Sequence, residues 1–158
     1  MAEERAQRRL AAILAADVVG YSRLMGTNEA GTLAALKAHR KELVDSLIAE
    51  HEGRIVKLTG DGMLVEFPSA VNAVACATEI QRKMRERNID VPEERRIEFR
   101  IGVNVGDIIF EDGDIFGDGV NVAARIEVIA KPGGVAVSAM VRDNVGRRLE
   151  LKIGRAHV

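Results

Sequence analysis

"RIVKLTGDGMLVEF", Arg54–Phe67, carries two apolar strand halves that meet at Gly60-Asp61-Gly62. Asp-Gly between alternating apolar runs predicts a tight β-hairpin. Taken alone, this reading makes Asp61 a turn residue and Lys57 a solvated strand residue. Whether either does chemistry depends on what the rest of the chain brings beside them.

The chain has 158 residues, 47% hydrophobic and 30% charged, which suits one globular domain with a sizeable core and excludes a disordered or fibrous chain. Its formal net charge is −1 with no block of like charges, so no general nucleic-acid or anionic-membrane surface is expected, and a bound nucleotide would be held locally. The single cysteine, Cys76, excludes a disulfide framework and reads as a buried structural thiol, which fits a reducing cytoplasm. The opening "RRLAAILAADVVG" mimics a signal peptide, but its apolar run meets Asp17 after about seven residues, too few to span a bilayer. It is expected to be a buried first strand.

Leu10–Val19 is that strand. From Asn28 to His51, Leu33, Leu36, Leu43, Val44, Leu47 and Ile48 follow helical spacing, with Gly53 as a stop. The histidines there, His39 and His51, read as surface residues. The hairpin follows. Ser69 then caps a helix with Val71, Val74, Ala75 and Thr78 on one face. Ile97–Phe110 alternates as a strand, Asp112-Gly113 turns, Gly119–Ala130 is helical, and "VAVS" is a short strand before a last helix capped by Ser138. The order predicts an α+β sandwich, with helices packed on a largely antiparallel sheet.

Asp17 stands where the first strand gives way to a glycine-containing turn, Val18-Val19-Gly20-Tyr21-Ser22. Such a turn displays a carboxylate rigidly and lets backbone N–H groups approach an anion, although a turn or capping aspartate would look the same. If the first strand lies beside the hairpin, Asp61 approaches Asp17, and two carboxylates held together call for a cation. Hard oxygen donors favour magnesium or manganese, and a pair of such ions suits phosphoryl transfer. In "DIFGDGVNVAARIE", Asp114–Glu127, Asn121 and Arg125 are four apart and share a helix face, fit either to hold a sugar and a phosphate or to form a solvated polar stripe.

Together, "DVVGYSRLM", "KLTGDGMLVEF" and "DIFGDGVNVAARIE" resemble, in order, the class III nucleotidyl cyclase catalytic domain, the adenylate and guanylate cyclase family. The resemblance implies a ferredoxin-like core in a head-to-tail homodimer with active sites at the subunit interface. It implies that Asp17, Asp61 and the Val18 carbonyl hold two Mg2+ or Mn2+ ions, and that Gly20, Tyr21 and Ser22 hold the triphosphate. From the other subunit, Lys57 and Asp114 would read the base, Asn121 would orient the ribose, and Arg125 would stabilise the transition state. Lysine donates to adenine N1 and aspartate accepts from the adenine amino group, whereas guanine presents the opposite pattern. Family guanylate cyclases usually carry glutamate at the position of Lys57.

The expectation is therefore a cytoplasmic adenylate cyclase domain acting on ATP, with no membrane insertion in this segment and with regulatory or additional domains in the parent protein. The alternatives are a guanylate or relaxed-specificity cyclase and an inactive nucleotide-binding or dimerisation module. Family domains continue with another strand pair bearing a lysine that contacts the triphosphate, so the catalytic domain is expected to occupy 1–152 and to be C-terminally truncated. Ile153–Val158, "IGRAHV", can be encoded by the constant part of a common sequencing adapter and is expected to be a non-native tail.

Overall fold

The computed structural model describes residues 7–146, so the expected tail and the boundary at 152 lie outside the described residues. One sheet contains β1 (Gln7–Val18), β2 (Arg54–Thr59), β3 (Gly62–Phe67), β4 (Phe99–Glu111), β5 (Asp114–Phe116) and β6 (Val135–Val137). Its order is β2-β3-β1-β4-β5, and β6 pairs in parallel with the first part of β4 while every other pairing is antiparallel. The helices are α1 (Tyr21–Thr27), α2 (Glu29–His39), α3 (Asp45–Glu50), α4 (Ala70–Asn88), α5 (Asp118–Ile129) and α6 (Ala139–Val145). The expected α+β sandwich with a largely antiparallel sheet is what the chain forms.

Central placement explains the opening apolar run. Flanked by β3 and β4, β1 is covered on both faces, so Ala12–Ala16 are buried without alternation. On one face Leu14, Val65 and Ile101 join Leu36, Leu47, Ile80 and Val141 from the helices. On the other, α5 packs Ala123 against Ile13, Ala15 and Ile108. Gly102 lets α5 come this close, because a Cβ there would meet the Glu127 amide nitrogen, lie 2.7 Å from Glu127 Cα and 2.8 Å from the Ala123 carbonyl oxygen. Backbone cannot move aside as a side-chain tip can. Gly102→Ala is expected to destabilise the fold by about 3 kcal/mol, read as a lower urea midpoint.

Local chemistry sets the element ends. Ser69 accepts from the Asn72 N–H (3.1 Å) and Ser138 from the Val141 N–H (3.3 Å), so both expected caps form. Cys76 is fully buried, and burial pushes its thiol up to about 12, as an inert core residue requires. The buried stripe of α4 runs through Ala70, Ala73, Val74, Ala77, Ile80 and Met84, whereas the expected Thr78 is exposed and donates its hydroxyl to the Val74 carbonyl.

The helix expected over 28–51 is interrupted. A π-helical turn, Arg40–Val44, joins α2 to α3, and the Asp45 N–H donates to the Arg40 carbonyl. Leu33 is exposed, and His39, expected at the surface, is buried against α4. The reason is a polar clamp that hydrophobic periodicity does not register: Arg87 of α4 donates through Nε to His39 Nδ1 (3.0 Å) and through Nη2 to Glu42 Oε1 (2.7 Å).

Burial, and then the Arg87 charge, hold the His39 imidazolium below its ordinary range. The unfolded chain therefore binds more protons once the pH drops below about 6.5. Its contribution to stability is complete above that pH and is lost as the pH falls through the folded value. Chemical denaturation across pH 7 to 5 is expected to show this loss and to show less of it in His39→Asn.

Candidate active site

β1 delivers Asp17 to its C-terminal end, beside the β2–β3 turn, because Ala16 pairs with Met63. The Val18 N–H donates to Asp61 Oδ2 at 3.3 Å, tying the turn to the strand end. Asp17 and Asp61 line one cleft of about 300 Å³ with Lys57, Ala124 and Glu127. The condition set by the sequence is met: the first strand lies beside the hairpin, and the two carboxylates share a cleft.

Two ionisable residues beside Asp17 were not singled out from the sequence. Arg100, opposite Asp17 in the β1–β4 register, donates to its two carboxylate oxygens at 3.4 and 3.3 Å. It also lies 3.5 Å from Glu127 Oε2. That oxygen is buried without a hydrogen-bond partner among the described residues. Burial, followed by the adjacent Asp17 carboxylate, pushes the Glu127 carboxyl up to about 8 against the pull of Arg100. A legible trace of Glu127 was an acid on the helix face that carries Ala123 and Ile126.

The cleft's acidic donors are hard carboxylate oxygens, which fit divalent magnesium or manganese. Among the described residues no group of three or more His, Cys, Asp or Glu side chains gathers for a metal. Further ligands would have to be backbone carbonyl, water or phosphate oxygens.

Lys57 reaches the same face through an irregularity. Ile55 pairs with Val65 and Lys57 with Leu64, leaving Val56 as the extra residue of a bulge. Cross-strand partners share a face, so Ile55 follows Val65 towards the large helical core while Lys57 follows Leu64 to the α5 side. Strict alternation would have sent both the same way. Lys57 Nζ then lies 3.5 Å from Asp114 Oδ2, and Asp114 Oδ1 accepts from the Ile115 N–H at 2.7 Å.

Asn121 and Arg125 are both exposed on α5, whereas Ala123, Ile126 and Glu127 are buried. Neither Asn121 nor Arg125 lines the cleft with Asp17 and Asp61. Gly20 adopts a left-handed conformation (φ 62°) as the N-cap of α1, so Tyr21 and Ser22 open a short helix rather than extend a loop. Gly20 remains the sharp turn after β1.

Residues 4–153 match the Adenylate and Guanylate cyclase catalytic domain family. The chain belongs to that family. A Rhizobium meliloti (strain 1021) protein named "Putative adenylate cyclase 3" is 57% identical over 151 residues, covering 96% of this chain and 26% of its own length. The chain thus spans about a quarter of that relative. An adenylate/guanylate cyclase/hydrolase structure from Silicibacter pomeroyi shares 54% identity with a TM-score of 0.87, covering 92% of this chain and 85% of its own. The guanylyl cyclase Cya2 structure is 27% identical with a TM-score of 0.80, over 90% and 81% of the two chains.

Both nucleotide specificities thus occur among similar cyclase folds. No helix among the described residues is long and apolar enough to cross a membrane.

Proposed function

We propose that this domain is an adenylate cyclase that converts ATP to 3′,5′-cyclic AMP and pyrophosphate at sites shared by two copies in a head-to-tail dimer. The observation carrying the adenine reading is the Lys57–Asp114 pair. One carboxylate oxygen of Asp114 is occupied by the Ile115 N–H, leaving the other to face Lys57. A donor and an acceptor side by side complement adenine N1 and its amino group; guanine, with a donor at N1 and an acceptor at O6, leaves both mismatched.

The ribose 3′-oxygen attacks the α-phosphorus as its bond to the pyrophosphate oxygen breaks, and the 3′-hydroxyl proton leaves to solvent. Asp17, Asp61 and the Val18 carbonyl would hold two magnesium or manganese ions. When bound, such ions lower the pKa of the attacking hydroxyl and offset charge on the leaving group. Gly20, Tyr21 and Ser22 border the triphosphate, Asn121 orients the ribose, and Arg125 meets charge developing on the α-phosphoryl group.

Dimerisation is supported by the outward display of Asn121 and Arg125, away from their own Asp17–Asp61 cleft. It is also supported by exposed Leu58, Phe116 and Val128, neighbours of Lys57, Asp114 and Arg125. A regulatory and signalling role in a longer cytoplasmic protein follows from the same reading, since cyclic AMP is a diffusible product.

The test is to incubate the domain with ATP or GTP and Mn2+ and separate the products. Cyclic AMP and pyrophosphate in equal amounts are expected. Equal or greater formation of cyclic GMP would overturn the adenine reading, and no cyclic nucleotide from either substrate would leave a binding or dimerisation module. Lys57→Glu provides the finer check. It is expected to shift the ratio of kcat/KM for ATP over GTP towards GTP by about 100-fold, because it inverts one hydrogen-bond partner.

A further inference from the structure

We propose that Arg40 is a positioning residue for the metal-binding turn: its guanidinium, presented by the π-helical turn, holds the Gly60 carbonyl and thereby orients Asp61. The proposal rests on the reading of Asp61 as a metal ligand. Arg40 Nη2 donates to the Gly60 carbonyl at 3.4 Å, while its Nε is buried without a hydrogen-bond partner among the described residues. An unmatched buried donor is unfavourable, so a guanidinium kept there calls for a compensating role.

The turn needs an external support. A two-residue hairpin loop fits the strand twist best when its residues take left-handed conformations, as Asp112 (φ 53°) and Gly113 (φ 79°) do between β4 and β5. Gly60 and Asp61 are absent from the positive-φ residues, so their loop lacks that built-in fit. The Gly60 carbonyl and the Asp61 N–H belong to one planar peptide unit. Fixing the oxygen fixes the plane from which Asp61 departs, and glycine on the other side would otherwise let that plane rotate.

The support is itself braced. π-Turns are rare and recur at functional sites. This one is fastened at two points by Arg87, which binds His39 just before it and Glu42 within it. Arg40 therefore projects from a fixed point, and α4, the π-turn and the hairpin form a connected series ending at Asp61.

The experiment titrates Mn2+ alone into the full chain and follows free Mn2+ by electron paramagnetic resonance, for wild type, Asp61→Asn, Arg40→Met, Arg40→Leu and Arg40→Lys. Arg40→Met is expected to weaken the Asp61-dependent binding about tenfold, with Arg40→Lys within about threefold of wild type because it keeps a donor for the carbonyl. A thermal midpoint within a few degrees of wild type separates this from unfolding, and Arg40→Leu, which also lacks a donor, replaces Arg40→Met if the latter does not fold. Gly60→Ala is sterically open, since its Cβ would meet only Tyr21 Cε2 at 3.9 Å.

Adding Gly60→Ala to Arg40→Met is therefore expected to recover part of the lost affinity by restricting the peptide. Unchanged Mn2+ binding in folded Arg40→Met or Arg40→Leu would overturn the positioning role, as would no recovery in the double variant. Wild-type binding that is insensitive to Asp61→Asn would overturn the metal-ligand reading beneath it.

Discussion

Asp61→Asn is expected to lower the rate of ATP cyclisation about a thousandfold, equivalent to roughly 4 kcal/mol of transition-state stabilisation. Asparagine keeps the size of aspartate and an oxygen that can accept from the Val18 N–H, so the tie between turn and strand survives. What disappears is a full negative charge in a cleft whose acids are fitted to divalent cations. With that tie kept, the fold is expected to survive the substitution. Initial rates with Mn2+ and a parallel thermal melt check both halves. A folded Asp61→Asn domain within threefold of wild-type kcat would end the two-metal reading.

Mixing two inactive variants tests how the site is divided. If each site draws Asp17 and Asp61 from one copy and Lys57, Asp114, Asn121 and Arg125 from the other, Asp61→Asn and Arg125→Ala damage opposite halves. A dimer containing one of each then has one intact site and one doubly defective site. Random pairing makes half the dimers mixed, so activity is expected to rise from near zero to about a quarter of wild type. A site contained in one protomer would show no recovery, and cyclisation assays at several mixing ratios distinguish the two.

That division is motivated by α5. Glu127 is buried at the Asp17 cleft, while Asn121 and Arg125 are exposed on the same helix and do not line that cleft. Sequence spacing placed Asn121 and Arg125 together, because residues four apart share a face. It did not say which way that face points. That direction depends on how α5 rotates onto the sheet, which Gly102 and the small Ala123 determine through close backbone approach.

Local patterns were sufficient for most of the architecture. The apolar run of β1 and the alternating pattern of β4 mark strands within short stretches of sequence, the Ser69 and Ser138 caps act across three residues, and all form. Long-range polar contacts were not legible. His39 is buried because Arg87, 48 positions away, supplies a donor, and the π-turn beside it leaves no mark in hydrophobic spacing. Arg100 and Glu127 acquire their importance only when β1, β4 and α5 meet at Asp17.

The hairpin shows both kinds of information. "RIVKLTGDGMLVEF" determined by itself that two strands would pair around a turn carrying Asp61, since alternation and turn residues act over a few positions. Only the tertiary structure decided that the turn would meet Asp17 and that the bulge at Val56 would place Lys57 opposite Leu64, on the side of Asp114. Strand neighbours and bulges are fixed by burial on both faces of the sheet. That free energy belongs to the assembled core and not to any single stretch of chain.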